Sequence, residues 1–308
     1  MSVIFISVVK LFIMLFTGAA ARKADVIDHS DTKGLSALLI KVTLPALIFT
    51  SMQKEFSPRL LRESILIVFL SLGIYGLYFI IALLTGSLIG GDKKDTGVYR
   101  FAILFSNVGF MGFPVLGSVF GAEAIFYAAM FNIPFHFFVF TLGVYLMTRG
   151  HMEERKFNWK LLLSPGIVAT VAGFIFFVFG LKLPAIIYDP VKFVGEITIP
   201  LSMITVGSML TEVHPKELLA GWRLYFISCM RLVLLPAAVY LFVKLFTDNP
   251  MMISVPVVIS AMPVAVNAPL IAHEYNGNAL LASRLMFLST LLSLITLPAV
   301  LMVLKALI

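Results

Sequence analysis

Apolar residues run along this chain in stretches of about twenty, separated by short polar connections, and the pattern predicts ten membrane-spanning helices. The stretches fall at 3–21, 34–52, 64–89, 98–120, 124–148, 161–181, 192–210, 222–246, 252–273 and 279–307. Each is long enough to cross about 30 Å of hydrocarbon as a helix. The longest polar connection runs from Arg149 to Lys160, at the middle of the chain. No linker or soluble domain interrupts the pattern. The expected fold class is therefore an all-α polytopic membrane protein, one membrane domain over 1–308 in two halves, 1–150 and 156–308.

The halves share landmarks at a constant offset. Span 2 carries Leu44-Pro45-Ala46-Leu47 and span 7 carries Ile199-Pro200-Leu201-Ser202, with the prolines 155 positions apart. Span 4 carries Gly112-Phe113-Pro114 and span 9 carries Asn267-Ala268-Pro269, again 155 apart. Met130-Phe131 and Met286-Phe287 follow at 156. Five spans per repeat is an odd number, so the second half enters the bilayer from the opposite side. Such inverted repeats are characteristic of alternating-access transporters.

Spans 4 and 9 are interrupted in their middles. Span 4 reads Ser106-Asn107-Val108-Gly109-Phe110-Met111-Gly112-Phe113-Pro114, and span 9 reads Met262-Pro263-Val264-Ala265-Val266-Asn267-Ala268-Pro269. Proline lacks the N–H a helix needs and glycine permits non-helical backbone, so both spans are expected to break. Broken backbone is tolerated at that depth only where protein or a wet cavity satisfies it. Half-helix N-termini there suit an anion such as a carboxylate, and Asn107 and Asn267 add side-chain donors. The candidate substrate-binding residues are thus Asn107, Gly109, Gly112, Pro114, Asn267 and Pro269. The plain alternative is that the prolines only kink their helices and each Asn caps freed backbone. Interruption of equivalent spans in both halves weighs against it.

Ionisable residues inside spans are costly and hence candidates for function. Lys41, His136 and Arg231 are the candidates for anion binding or coupling. Against them stand snorkelling or a structural bond to a carbonyl for the two cations, and packing for His136. No carboxylate lies at the centre of any span, which disfavours proton antiport through paired aspartates. Carbonyls, hydroxyls and amides leave a sodium site open.

Composition changes the picture only slightly. The chain is 60% hydrophobic and 13% charged, too few charges to cover a soluble domain. The net charge of +7 resides in connections rather than on one face, so it speaks for topology and not for nucleic acid. The connections after spans 1, 3, 5, 7 and 9 hold twelve Lys and Arg against seven on the other side, with four inside spans. That bias places the central loop in the cytoplasm and both termini outside it, in a plasma or inner cell membrane. Cys229 is the single cysteine, so no disulfide or metal framework is expected. His273-Glu274 lacks the second histidine of a zinc-protease motif, and no nucleophile elbow, P-loop or dinucleotide fingerprint occurs. No enzyme activity, resident cofactor or metal is expected.

Leu44-Pro45-Ala46-Leu47-Ile48-Phe49, the run Asn107 to Pro114, and His273-Glu274-Tyr275-Asn276 after Pro269 resemble the auxin efflux carrier family, in its compact prokaryotic permease branch. The resemblance extends from Lys33-Gly34-Leu35 to Leu297-Pro298. It implies a fold shared with bile-acid-type sodium symporters, with spans 4 and 9 crossing at their breaks. Spans 1, 2, 6 and 7 would form a scaffold joining a homodimer, and spans 3–5 and 8–10 an elevator-like transport unit. Asn107, seven residues before Pro114, matches the family's crossing asparagine. Span 9 departs from the plant-like pattern by one extra residue between Pro263 and Pro269. The expected function is secondary transport of small organic anions through the bilayer, with proton or sodium as possible coupling ions. A sodium-coupled symporter of the bile-acid type is the alternative, and a membrane receptor or enzyme a remote one.

Overall fold

A computed structural model describes residues 3–90, 92–148, 163–211 and 221–308. The central connection from Arg149 to Lys160, and Lys216, on which the orientation partly rests, lie outside the described residues. The described chain is helical: α1 Val3–Lys23, α2 His29–Ser51, α3 Pro58–Ile89, α4 Lys93–Leu104, α5 Val108–Phe120, α6 Ala122–Met147, α7 Pro165–Val178, α8 Ala185–Leu210, α9 Trp222–Lys244, α10 Pro250–Ser260, α11 Ala268–Glu274 and α12 Ala279–Leu307. Among the described residues, six helices (α2, α3, α6, α8, α9 and α12) are long and apolar enough to cross a membrane. Helices α5, α7 and α10 are apolar but shorter.

Local chemistry explains where these helices start. Asp28 opens α2 with a capping box, accepting from Asp31 N at 2.7 Å, and that bond holds its carboxyl below the usual range. Asn249 Oδ1 accepts from Met251 N at 2.9 Å ahead of Pro250, and Asn278 Oδ1 accepts from Leu281 N at 3.0 Å. Prolines inside the long segments act differently. Widened π turns occupy Leu39–Thr43, Val108–Gly112 and Met230–Leu234, each ending two residues before Pro45, Pro114 or Pro236. A proline ring collides with the carbonyl one turn back and supplies no N–H to it; an extra residue in the preceding turn relieves both.

The helices present apolar side chains outward, with Ile295 75% and Phe69 66% exposed. Their buried hydroxyls close on their own helices, as in Ser64 to Leu60 O at 2.7 Å and Thr290 to Met286 O at 2.7 Å. An apolar exterior over self-satisfied polar groups is the pattern hydrocarbon demands.

The chain divides into two compact units, one within 1–68, 109–133 and 162–212, the other within 69–108, 134–161 and 213–308. The division falls inside α3, after the first residue of α5, and inside α6. Spans 1, 2, 6 and 7, which the resemblance assigns to a scaffold, all fall in the first unit. Spans 8–10 fall in the second, and spans 3–5 are shared out between the two.

In the first unit α1 and α8 pack backbone to backbone. A Cβ on Gly18 would strike the Ile204 carbonyl, and one on Gly207 the Leu15 carbonyl. This reciprocal pair is the small-residue contact that brings membrane helices close. Thr32 and Ser208 hydroxyls join α2 to α8 at 2.8 Å. Gly207→Val should therefore force α1 and α8 apart and lower the thermal melting of the detergent-solubilised protein by several degrees. Melting like that of the wild type would show that the contact is dispensable. At the other end of this unit Lys54 lies 5.6 Å from the Phe126 ring centroid, and its burial lowers its pKa against the opposing pull of Glu123.

Candidate functional site

The second unit contains the crossing that the interrupted spans predict. Helix α4 ends at Leu104, and Phe105 leaves it in an extended conformation, φ −115° and ψ 112°. Helix α10 ends at Ser260. The two strands of chain beyond them then run antiparallel past each other. Asn107 N donates to Pro263 O at 2.8 Å and Ala265 N donates to Phe105 O at 3.1 Å, flanking a bridge between Ser106 and Val264. Val264 N donates to Ser289 Oγ of α12 at 3.0 Å. Main-chain groups that lose helical partners thus find them across the crossing, as buried backbone must.

Arg231, in the π turn of α9, is fully buried and holds the two helix ends together. Its Nη1 donates to Ile103 O at 2.6 Å, and its Nε donates to Met262 O at 3.1 Å. Ile103 O lies in the last turn of α4 and Met262 O just beyond the end of α10, and at each helix end the aligned peptide dipoles leave about half a negative charge. Two such ends amount to roughly one charge, which is what a buried guanidinium needs in the absence of a carboxylate. The Tyr78 ring adds its face at 5.4 Å.

Aromatic rings enclose the start of the break. Phe105 packs against Phe101 at 4.7 Å and Phe135 at 5.7 Å, and Tyr75 packs against Phe138 at 5.3 Å. His136 stands edge-on to Phe135 at 5.5 Å, one ring removed from Phe105.

The candidate residues distribute as follows. Asn107, Asn267, Pro269, His136 and Arg231 belong to the second unit, and Gly109, Gly112, Pro114 and Lys41 to the first. Asn107 is buried at 4% exposure, and Asn267 is half-buried at the start of α11 with no side-chain capping bond. The amide of Asn267 is therefore not used in the way the plain alternative requires. Lys41 is exposed on the π turn of α2. The expected break in span 4 lies farther upstream than its glycines suggest: Phe105 to Asn107 are extended, whereas Gly109 and Gly112 sit in the π turn. Pro269 occupies the first turn of α11, where a missing N–H costs nothing, and Pro114 follows the π turn of α5, which accommodates it. Sequence reasoning missed Tyr78 and Ser289, whose residue types carry no signal in an apolar helix. The Glu274-Tyr275-Asn276 step has a structural basis: Asn276, at φ 58°, ends α11, and Gly277 N bonds to Ala272 O at 2.7 Å.

A lipid-facing helical chain with two half-helices joined at mid-span belongs to the class of multi-pass membrane transporters. The model of the membrane transport protein family matches residues 3–156 and 151–301, so the chain belongs to that family, the auxin efflux carriers that its motifs resemble. It is 27% identical over 292 residues to an uncharacterized transporter of Methanothermobacter thermautotrophicus, covering 95% of each chain. A second uncharacterized transporter, from Methanocaldococcus jannaschii, is 25% identical, with 94% of each covered. A putative malonate transporter of Rhizobium meliloti is 22% identical over 97% of this chain and 95% of its own. Family and relatives are transporters, not enzymes.

Proposed function

We propose that this protein is a secondary carrier for small organic anions, with a carboxylate of the substrate bound where the chain breaks in spans 4 and 9. The observation that carries the reading is Arg231. It is a buried cation, tied to both half-helix ends, with no ion pair among the described residues. Its charge makes the surroundings of the break favourable to an anion, and Asn107 and Asn267 supply neutral donors. The putative malonate transporter among the relatives supports a small dicarboxylate as cargo.

The reading includes ten spans in two inverted repeats. Helix boundaries support it: α4 and α10 begin at Lys93 and Pro250 and end at Leu104 and Ser260, and regular helix resumes at Phe113 and Ala268. These pairs are separated by 155 to 157 positions, like the sequence landmarks. Elevator-type motion, a homodimer through spans 1, 2, 6 and 7, and termini outside the cytoplasm belong to the same proposal. An inside-negative potential favours export of an anion by uniport, and import requires a coupled proton or sodium ion.

The test is a panel of labelled mono- and dicarboxylates offered to proteoliposomes with imposed sodium, pH and potential gradients. Flux of a small dicarboxylate is the expected result, and its gradient dependence assigns the coupling. Sodium-dependent uptake of bile-acid-like steroids alone would select the symporter alternative, and no flux of any carboxylate would refute the carrier reading.

A further inference from the structure

The two chain segments that pass each other at the crossing are not equally satisfied. Ser106 and Val264 face each other as the bridge pair. The bonds from Asn107 N to Pro263 O and from Ala265 N to Phe105 O flank that pair rather than join it. In antiparallel pairing of this kind the N–H groups of the facing residues point away from the partner segment. Each therefore needs an acceptor from outside the pair. Val264 N has one, Ser289 Oγ of α12 at 3.0 Å. Ser106 N has none among the described residues. The repeat accounts for the difference. Met130-Phe131 and Met286-Phe287 set an offset of 156 in this region, which pairs Ser289 with Ile133, and an isoleucine side chain has no oxygen to offer.

The Ser106 hydroxyl is in the same situation. Serines in the helices of this unit close on a carbonyl one turn back, as Ser260 does on Val257 O at 2.6 Å and Ser293 on Thr290 O at 2.6 Å. Such a bond needs helical backbone, and Phe105 has already left the helix at φ −115° and ψ 112°. The Ser106 hydroxyl makes no hydrogen bond among the described residues, and the facing Val264 offers no side-chain acceptor. The carbonyl of Ser106 is occupied, accepting from Val108 N at 2.9 Å. Ser106 is only 3% exposed. Two donors of one buried residue are thus left without a protein partner, which is rare in a native fold.

Their chemistry selects the ligand. An N–H can only donate, so this pair of groups repels a sodium ion and suits an anionic oxygen. Arg231, bonded to Ile103 O three residues upstream, adds positive charge to the same segment. We propose that Ser106 is a direct ligand of the transported anion, giving its N–H and its hydroxyl to one carboxylate group. On the carrier reading, on which this rests, Ser106 tells a carboxylate from a neutral or cationic group.

The test uses the whole protein with malonate as probe, read by thermal stabilisation and by counterflow. Ser106→Ala removes the hydroxyl and keeps the N–H, and its malonate affinity should fall about tenfold. Ser106→Pro removes both donors. No bond of the fold uses that N–H, and Phe105 already has the extended backbone favoured before proline, so this variant should melt like the wild type without malonate. Its malonate affinity should fall about 100-fold. Ser106→Thr keeps both donors and should bind nearly as the wild type does. Malonate affinity unchanged in Ser106→Ala and Ser106→Pro, beside a wild type that binds malonate, would overturn the assignment and leave the carrier reading standing. A wild type that binds neither malonate nor any other small carboxylate would overturn both. Should Ser106→Pro fold poorly, the affinity of Ser106→Ala decides alone.

Discussion

Arg231→Leu should abolish transport and sharply reduce the yield of folded protein. The substitution removes the donors to Ile103 O and Met262 O and leaves both carbonyls buried. A hydrogen bond from a charged group contributes about 1.5–3 kcal/mol, and an orphaned buried carbonyl costs about 1–3 kcal/mol. Even with incomplete additivity, the loss reaches several kcal/mol at the point where α4, α9 and α10 are joined. Arg231→Lys separates charge from geometry. An ammonium group keeps the positive charge but lacks the planar fork that spans two carbonyls. The lysine variant should fold better than the leucine variant and transport more slowly than the wild type. Size-exclusion profiles and proteoliposome flux, measured together, check both statements. Full flux in Arg231→Leu would mean that neither the clamp nor its charge matters.

Asn107→Ala is the second large effect, and it should be of the opposite kind. At the crossing the main-chain N–H of Asn107 donates to Pro263 O. Alanine keeps that N–H, so the variant should fold and melt like the wild type. What it loses is an amide donor beside the break, in a region carrying the positive charge of Arg231. Loss of one hydrogen bond to a charged carboxylate corresponds to roughly a 10- to 100-fold fall in affinity. Substrate-induced thermal stabilisation should disappear at concentrations that protect the wild type. A variant that melts at a much lower temperature with no substrate present would instead assign Asn107 a structural role.

Much of this fold is visible in residue order because the bilayer imposes length and apolarity on each span. Span 2 and span 10 lie close to the helices His29–Ser51 and Ala279–Leu307 for that reason. Asn107, Asn267 and the flanking prolines were legible as an interruption, since proline and glycine act locally. The position of the break was not. Phe105-Ser106-Asn107 contains no strong helix breaker, and its extended form is matched by pairing with Pro263 to Ala265, a partner more than 150 residues away. Arg231 could be read as a buried cation, but a carbonyl acceptor leaves no trace in sequence: every residue has one. The same limit hid Ser289, whose hydroxyl accepts from Val264 N.

The central claim is that an organic anion crosses the bilayer through a site at the paired breaks. Counterflow tests it most directly: proteoliposomes loaded with unlabelled malonate are given trace labelled malonate outside, with wild-type protein and Asn107→Ala in parallel. Exchange needs no assumption about the coupling ion or the direction of net transport. The account predicts rapid entry of label with the wild type and entry near that of protein-free liposomes with the variant. Equal entry for the two proteins, at equal amounts of folded protein, would contradict it.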